Sequence, residues 1–381
     1  MTEVRRVLIY SDAAEFGGHE AMTLRGIQSL VSRQDLDVFV MYYGGNTQFM
    51  EKLEELRSGA RNLKLQPFEF RSRTLQNLRS LLTPGEVRSI QKLMLQAGPD
   101  TVVVSQGRIE MGSAGLLAAS RAGLRTISYI PMAHPVSVAG RQVGVQLRDR
   151  VNQYFYSLPE KFITISESTR QMLIARGVKS EIAVVPNCVP RIAIRESDRE
   201  DFRRQHGLNR EDYVVAVVGR IVFRQKAQDF ALKAIECFRE ALRGFKFLFI
   251  GDGRDEAKLR TMIAETNLGE AVRVLPWSSA PGQVYAGIDM LLIPSHFEGV
   301  PLVMLEAMSC GVRIVASDAD GMAESLPKSW LFPLGDSEGL VKALRRVREQ
   351  EVPDLIEANR TRVAAECDVR KFGLRFVEAI L

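Results

Sequence analysis

Two glutamates, Glu298 and Glu306, have the type and spacing most suited to chemistry, because seven residues separate them in an otherwise apolar segment. A carboxylate accepts hydrogen bonds and carries a charge that needs a partner when it is buried. No Lys or Arg lies one helical turn from Glu306, so its partner must come from elsewhere in the fold or from a ligand. Two interpretations are open here. Either Glu298 complements a helix dipole and Glu306 meets a structural arginine, or both glutamates bind a ligand.

Arg220 and Lys226 form a second pair, spaced six residues apart around a strand-to-helix loop. Arginine can bind phosphate oxygens in a bidentate manner, and lysine adds a compact point charge. The spacing therefore suits a clamp for a diphosphate, although the same two residues could instead cap the edge of a sheet.

A strand–helix–strand unit must position the two glutamates. The apolar runs 290–294 and 312–316 predict short buried strands, and the apolar segment between them predicts a buried helix. Pro301 suits the first helical position, where its missing N–H would have had no intrahelical partner. Gly311 suits the end of that helix.

The loop before this helix is predicted to face a ligand. In open parallel sheets, ligands bind at the carboxyl ends of the strands, where Glu298 is placed. The free amides of Gly299, Val300 and Leu302 at the start of the helix point toward the same place and favour an anion or a hydroxyl group.

The rest of the chain alternates apolar runs with helical patterns, which is typical of an α/β fold with parallel sheets covered on both faces. Further strands are predicted at residues 4–10, 36–42, 101–105, 126–130, 162–165, 182–185, 213–218, 245–250 and 272–275. The length of 381 residues favours two or three domains. Residues 186–203 have a dense charge run and no apolar period, which predicts a linker between domains at 1–192 and 193–365.

Composition excludes several classes of protein. No apolar run reaches the ~18 residues of a transmembrane helix, and the N-terminus lacks a signal-peptide pattern, so we expect a cytoplasmic protein. The four cysteines and four histidines are scattered without metal-binding spacing, so no metal and no cofactor is expected. A net charge of +5 is mild, and nothing resembles a nucleic-acid-binding motif, so nucleic acid is not an expected partner.

The pattern Glu298-x7-Glu306-Ala-Met-x-x-Gly resembles the signature of retaining glycosyltransferases of family GT4, also described as glycosyl transferases group 1. Similar motifs lie in Gly17-Gly18-His19-Glu20, in Gly219-Arg220-x5-Lys226 and in Val184-Val185-Pro186-Asn187. Two residues depart from the family pattern. Ala227 follows Lys226 in place of glycine, and Cys188 replaces the glycine after Asn187.

The resemblance implies a GT-B fold, in which two Rossmann-like, doubly wound parallel-sheet domains face a cleft. It also implies that a terminal helix at 366–381 crosses back onto the first domain. By the same resemblance, Arg220 and Lys226 of this chain would hold the diphosphate of the donor. Glu298 would contact the donor sugar, and Glu306 would hold the ribose.

Four other positions receive roles through the same resemblance. Gly17 and Gly18 would lie near the donor phosphates and the acceptor. His134, which follows a predicted strand, would lie near the reaction centre beside Arg220, Lys226 and Glu298. Trp277 would pack against the nucleobase, although a structural tryptophan is an equal alternative from the sequence.

The implied function is retaining, metal-independent transfer of a hexose-type sugar from a UDP- or GDP-linked donor to a glycan or a lipid-linked glycan acceptor. Three alternatives stay open: a nucleotide-sugar epimerase or a phosphorylase on the same fold, and a non-catalytic nucleotide-sugar-binding partner of a transferase. Residues 66–93 are basic and amphipathic, which is compatible with an anionic surface on the cytoplasmic face of a membrane or with ordinary packing on the core.

Overall fold

The computed structural model describes residues 4–139 and 144–381, and the chain forms two compact units. The first unit comprises residues up to Cys188 together with Val369–Leu381, and the second comprises Val189–Asp368. The sequence had suggested divisions after residues 192 and 365. The sequence also left open whether Arg141, Arg148 and Arg150 meet an anionic acceptor or are surface charges, and of these Arg141 lies outside the described residues.

The first unit is built on a seven-stranded parallel sheet in the order β3-β2-β1-β4-β5-β6-β7. Its strands are β1 (Arg5–Ser11), β2 (Leu36–Tyr43), β3 (Leu63–Phe68), β4 (Thr101–Ser105), β5 (Thr126–Tyr129), β6 (Lys161–Thr164) and β7 (Glu181–Val184). Its helices are α1 (Gly18–Val31), α2 (Thr47–Gly59), α3 (Gln76–Leu82), α4 (Pro84–Ala97), α5 (Ser113–Arg121), α6 (Val145–Tyr156), α7 (Glu167–Ala175) and, at the carboxyl terminus, α17 (Val369–Ile380). The central strands β1 and β4 are buried along continuous apolar runs, as expected for a sheet with helices on both faces.

The terminal helix α17 packs on α1 of the first unit, although the chain reaches it only after completing the second unit. The contact is close, because a Cβ added to Gly26 of α1 would lie 2.4 Å from the Phe376 ring. The Phe376 ring also meets Tyr129 of β5 edge-on, with ring centroids 5.2 Å apart. The helix is thus an integral part of the first unit's core.

The second unit contains a six-stranded parallel sheet in the order β10-β9-β8-β11-β12-β13. Its strands are β8 (Tyr213–Val218), β9 (Phe245–Ile250), β10 (Val272–Leu275), β11 (Met290–Ile293), β12 (Arg313–Ser317) and β13 (Leu331–Phe332). Its helices are α8 (Asp198–Gln205), α9 (Phe223–Lys226), α10 (Gln228–Cys237), α11 (Glu256–Ala264), α12 (Pro281–Gly287), α13 (Leu302–Cys310), α14 (Asp320–Ser325), α15 (Ser337–Glu349) and α16 (Pro353–Glu366). The carboxyl ends of β8, β9, β11 and β12 meet at one edge of this sheet.

The predicted linker at 186–203 is wrong in its second half, where the chain forms helix α8. The helix is only eight residues long and contributes one large apolar side chain, Phe202, which is buried against Gly287 of α12. Arg203 is also buried, and it reaches Asp289 with an N–O distance of 2.7 Å. A single buried apolar side chain and one buried ion pair produce no apolar periodicity in the sequence. The charged residues of this helix therefore looked like those of a linker.

Helix α3, within the predicted amphipathic segment 66–93, has its polarity reversed. It buries Gln76, Asn77 and Ser80 while Leu81 and Leu82 are 38% and 77% exposed. The buried side chains have partners: Asn77 donates to Asn152 over 2.7 Å, and Ser80 hydrogen-bonds Ser113 over 3.1 Å. Packing of these leucines on the core, one of the two interpretations from the sequence, is therefore wrong for Leu81 and Leu82. Among the described residues no helix is long and apolar enough to cross a membrane.

Candidate functional site

Two glycine-containing loops form the base of the candidate site in the second unit. Gly219 follows β8 with a φ of +136°, and Gly251 follows β9 with a φ of +150°. A Cβ added to Gly251 would lie only 2.1 Å from the Gly219 carbonyl oxygen, and one added to Gly253 would lie 2.4 Å from that of Ile221. The two loops therefore pack backbone against backbone, which only glycine permits here.

Lys226 and Glu298 form a largely buried ion pair at this edge of the sheet. The Lys226 Nζ lies 2.7 Å from Glu298 Oε1, and the side chains are 18% and 8% exposed. Gln225 reaches the other carboxylate oxygen weakly, at 3.5 Å, and its carbonyl accepts the His296 N–H at 2.8 Å. Helix α9 is thus fastened to the loop after β11, and a cation and an anion are brought together.

Ala227, the residue that departs from the family pattern, adopts the left-handed conformation with a φ of +52°. It is fully buried and leads from α9 directly into α10. Alanine pays about 1–2 kcal/mol for this conformation, which explains why glycine would be favoured there. Cys188, the other departure, is not among the residues with positive φ.

Asp320 fixes the backbone of the loop that carries Glu298. Its Oδ2 accepts the Glu298 N–H at 2.8 Å, while its own φ of +48° lies in the left-handed region. The next residue, Gly321, donates its N–H to the Gly299 carbonyl, and a Cβ there would lie 2.2 Å from that oxygen. The loop after β12 therefore holds the loop after β11 in place.

Helix α13 begins at Leu302 and ends before Gly311, whose φ is +73°. Pro301 was predicted as the first helical residue. It is instead the N-cap, just before the helix, because its ψ of 128° is extended and not helical. Among the described residues, the N–H groups of Gly299 and Leu302 have no hydrogen-bond acceptor. These two donors at a helix N-terminus suit an anion or a hydroxyl oxygen.

Glu306 lies about one turn into α13, and its protein partner is a tyrosine. The Tyr285 hydroxyl donates to Glu306 Oε2 over 2.7 Å, and Tyr285 itself is buried in α12. Burial raises the pKa of Glu306, while the hydrogen bond from Tyr285 lowers it. The hypothesis that Glu306 meets a structural arginine is therefore wrong. Within the described part of the chain, Oε1 of Glu306 has no hydrogen-bond partner.

Two further predicted site residues of this unit lie at the surface. Arg220 follows Gly219 and is exposed, and its carbonyl accepts a hydrogen bond from the buried Gln228 at 2.8 Å. A Cβ built on Gly219 would lie 3.9 Å from the Lys226 Nζ, so the lysine head group lies beside the start of this loop. Trp277, in the loop after β10, is 55% exposed, which is unusual for a tryptophan whose role is core packing.

The remaining predicted residues belong to the first unit. Gly17 is the N-cap of α1 and donates its N–H to the Glu20 carboxylate at 2.9 Å, and Gly18 begins the helix. His134 lies half-buried in the loop after β5. The structure thus brings Arg220, Lys226, Glu298, Gly299, Val300, Leu302 and Glu306 to one sheet edge of the second unit, while Gly17, Gly18 and His134 lie in the first.

A hydrogen-bonded group beside Gly17 was not found from the sequence. His19 Nε2 lies 2.8 Å from Ser105 Oγ, which lies 2.7 Å from Thr23 Oγ1. Thr23 donates its hydroxyl to the His19 carbonyl, so Ser105 must donate to Thr23 and accept from His19 Nε2–H. Burial lowers the pKa of His19 to about 3, so the ring is neutral.

Tyr285, Asp320 and Gln225 are the residues of the second unit's site that sequence reasoning missed. Each contacts a glutamate from a distant part of the chain, 21, 22 and 73 residues away. No short spacing links them, so the available signal was indirect: a carboxylate on an apolar helix requires some partner.

Comparisons with known proteins agree with this geometry. Residues 16–191 match the sequence profile of the family described as "Glycosyltransferase Family 4", and residues 198–365 match that of "Glycosyl transferases group 1". The chain belongs to the GT4-type glycosyltransferases. The family recognised from the glutamate pattern is therefore confirmed.

Two curated relatives of this GT4-type chain illustrate the similarity. The amylovoran biosynthesis glycosyltransferase AmsK of Erwinia amylovora is 25% identical over 275 residues, which cover 68% of this chain and 65% of AmsK. The 2-deoxystreptamine glucosyltransferase of Streptomyces kanamyceticus is 30% identical over 205 residues, which cover 51% of this chain and 52% of that protein. The chain thus spans between about half and two thirds of the length of these relatives.

Solved structures establish the fold. HepE of Anabaena in complex with UDP-glucose superimposes with a TM-score of 0.79 at 18% identity and 98% coverage of both chains. Sucrose-phosphate synthase of Thermosynechococcus elongatus superimposes with a TM-score of 0.77 at 16% identity, again with 98% coverage of both chains. With its two parallel-sheet units, the GT4-type chain has the predicted GT-B fold.

Proposed function

We propose that this protein transfers a hexose-type sugar from a nucleoside-diphosphate sugar to a glycan acceptor. The observation that carries the proposal is the arrangement at the carboxyl ends of β8 and β11. There the Lys226–Glu298 ion pair lies beside the Gly219–Arg220 loop and the open N–H groups of Gly299 and Leu302. Cationic and N–H donors of this kind suit the diphosphate, and carboxylate acceptors suit the sugar and ribose hydroxyls.

Charge development on the leaving group gives these donors a catalytic role. When the bond between the sugar and the diphosphate breaks, negative charge grows on the departing phosphate oxygen. Fixed positive groups aimed at that oxygen stabilise the transition state more than the ground state. We assign this role to Arg220, Lys226 and the α13 amides, and we propose that they act without a metal ion.

Glu298 orients the donor sugar and Glu306 accepts the ribose hydroxyls in this proposal. Glu298 already holds Lys226 on Oε1, so a bound sugar hydroxyl would meet its Oε2, where Gln225 is the present weak neighbour. His134 acts near the reaction centre and Trp277 contacts the nucleobase. We also propose that the donor's anomeric configuration is retained in the product.

The donor and acceptor classes are suggested by similar proteins. The solved HepE structure contains UDP-glucose, which favours a UDP-hexose, with GDP-linked sugars as the second donor class. AmsK is named for amylovoran biosynthesis, which favours a precursor in polysaccharide biosynthesis as the acceptor. A lipid-linked glycan intermediate is the form of acceptor that we propose.

A membrane-facing surface on the first unit would suit a lipid-linked acceptor. Leu82 of α3 is 77% exposed and Leu147 of α6 is 58% exposed, and these two helices pack together. Arg71, Arg73 and Arg79, which precede Leu82 in the chain, are exposed as well. Apolar side chains flanked by cations favour the interface of an anionic bilayer. We therefore propose peripheral binding to the cytoplasmic face of a membrane.

A donor-hydrolysis assay tests the proposed activity. UDP- and GDP-hexoses are incubated with the full-length chain, and release of the nucleoside diphosphate is followed with and without a chelator. We expect slow hydrolysis of one donor at a rate that the chelator does not change. NMR of the newly released sugar should show the same anomeric configuration as the donor. The melting temperature of the protein is measured with each donor as well. If no donor at millimolar concentration is hydrolysed and none raises the melting temperature, the proposed function is wrong.

A flotation experiment tests the membrane surface separately. The wild-type chain should float with vesicles containing anionic phosphatidylglycerol and remain at the bottom with neutral phosphatidylcholine. The Leu82→Glu/Leu147→Glu variant should no longer float, because it places charge in the apolar surface. If the wild type fails to float with anionic vesicles at moderate salt, the membrane proposal is wrong while the transferase proposal stands.

A further inference from the structure

Glu306 is anchored by only one of its two carboxylate oxygens. Oε2 accepts the Tyr285 hydroxyl at 2.7 Å, whereas Oε1 has no hydrogen-bond partner among the described residues. Glu306 is only partly buried, in contrast to its neighbours Leu305 and Ala307, which are 4% and 0% exposed. The carboxylate is therefore held from inside the protein and left open on its other side.

Tyr285 is well placed to hold it rigidly. The residue lies on α12 and is 3% exposed, so its ring is fixed by the core that surrounds it. Its hydroxyl has one hydrogen, and the Glu306 oxygen at 2.7 Å is a far better acceptor than the Val303 carbonyl at 3.4 Å. Because a hydrogen bond to a carboxylate is charge-assisted, this contact restrains the rotamer of Glu306 and favours its ionised form, against the burial that raises its pKa.

We propose that Tyr285 is a positioning residue for nucleotide binding, which fixes Glu306 so that Oε1 accepts a ribose hydroxyl of the nucleoside diphosphate. The inference rests on the proposed function, since it assigns Glu306 to the ribose. It adds a residue from a separate helix to that contact. Without the tyrosine hydroxyl, the carboxylate would rotate among several rotamers and would face a buried, unpaired environment on Oε2.

The charged surroundings of Glu306 are simple enough for a pH test. On its own helix, Cys310 is the nearby titratable group, and burial raises the pKa of its thiol. Arg360 of α16 donates to the Cys310 carbonyl over 3.1 Å. Tyr285 of α12 is the direct partner, and burial raises its pKa well above the usual value, so it stays a neutral donor.

Calorimetric titration of UDP and GDP into the full-length wild type, Tyr285→Phe, Glu306→Gln and the double variant tests this role. Tyr285→Phe should weaken binding about tenfold, the effect of one charge-assisted hydrogen bond. Glu306→Gln should weaken it as well. The double variant should bind no more than about twofold more weakly than Glu306→Gln alone, because the two residues act through one contact.

The pH profile separates positioning from general packing. The ratio of wild-type to Tyr285→Phe affinity should grow as the pH falls, since the variant carboxylate takes up a proton more readily when it loses its donor. A loss of affinity that is equal at every pH, or an affinity within twofold of the wild type, would overturn the inference. Multiplicative effects in the double variant would also overturn it.

The outcomes distinguish this inference from the proposed function. If the wild type binds a nucleoside diphosphate and Glu306→Gln weakens it while Tyr285→Phe does not, only the role of Tyr285 is wrong. If the wild type binds neither nucleotide, both the proposed function and this inference are wrong. Urea unfolding of Tyr285→Phe serves as the control that the isosteric change preserves the fold.

Discussion

Removal of the Lys226 charge should destabilise the second unit, because it leaves the Glu298 carboxylate buried without its counterion. Lys226→Met keeps the length of the side chain and removes the ammonium group that lies 2.7 Å from Glu298. Breaking a fully buried ion pair from one side costs about 3–5 kcal/mol. The Lys226 side chain is 18% exposed, so we expect about 2–3 kcal/mol here.

Tryptophan fluorescence provides a selective assay for this effect. The protein has two tryptophans, Trp277 and Trp330, and both lie in the second unit. Trp330 is completely buried, so its emission will change when that unit unfolds. The free energy of unfolding is obtained from urea titrations of the wild type and the variant at pH 7.

Two further variants make the comparison decisive. Glu298→Gln added to Lys226→Met should restore most of the lost stability, because the buried charge disappears. Lys342→Met, which removes a solvent-exposed partner of Glu338 in the same unit, should leave the unfolding midpoint unchanged. A Lys226→Met midpoint equal to that of Lys342→Met, or a double variant no more stable than Lys226→Met, would refute the buried-pair reasoning.

Three other variants test separate parts of the structure. His19→Gln should gain about 2 kcal/mol relative to the wild type between pH 8 and pH 5, measured by circular dichroism during unfolding. The folded-state pKa of His19 is lowered to about 3 from 6.5, so protonation of the unfolded chain destabilises the wild type below pH 6.5; a pH-independent difference would contradict this. Asp320→Ala should lower the free energy of unfolding by about 1–3 kcal/mol, because it loses the hydrogen bond from the Glu298 N–H and keeps a strained φ, whereas Asp320→Asn should stay close to the wild type. Equal losses in the two variants would be inconsistent with this contact. Gly251→Ala should shift the fluorescence midpoint far more than Gly269→Ala, because only the first Cβ would meet a backbone atom at 2.1 Å; equal shifts would contradict the close packing.

Long apolar runs were the part of the fold that the sequence predicted well. β4, β8 and β9 lie where continuous buried residues placed them, because central parallel strands are apolar on both faces. The strands that were missed are at or near sheet edges. β3 reads Leu-Lys-Leu-Gln-Pro-Phe with a mixed burial pattern, and β13 has only two residues. β3 has no continuous apolar run and β13 is only two residues long, so neither gave the signal that predicted the other strands.

The candidate site was predicted in its charged residues and missed in its supporting residues. Glu298, Glu306, Arg220 and Lys226 lie in recognisable local motifs. The direct contact between Lys226 and Glu298 could not be predicted from the sequence, because it joins the end of α9 to the loop after β11, 72 residues later, through the order of strands in the sheet.

For helix α3, the sequence predicted the wrong buried residues. Its leucines suggested a buried face, but the structure buries Asn77 and Ser80 through partners on α5 and α6. Side-chain hydrogen bonds between distant elements can reverse the apparent polarity of a short helix, and periodicity alone contains no information about them.

Calorimetric titration of UDP and GDP into the full-length protein tests the central claim most directly, namely that the second unit binds a nucleoside diphosphate through Lys226 and Glu306. The account predicts one binding site per chain for at least one of the two nucleotides. It also predicts that Lys226→Ala and Glu306→Ala each weaken that binding by about 1–3 kcal/mol, the contribution of a hydrogen bond to a charged group. Failure of both nucleotides to bind, or an affinity that neither variant changes, would contradict it.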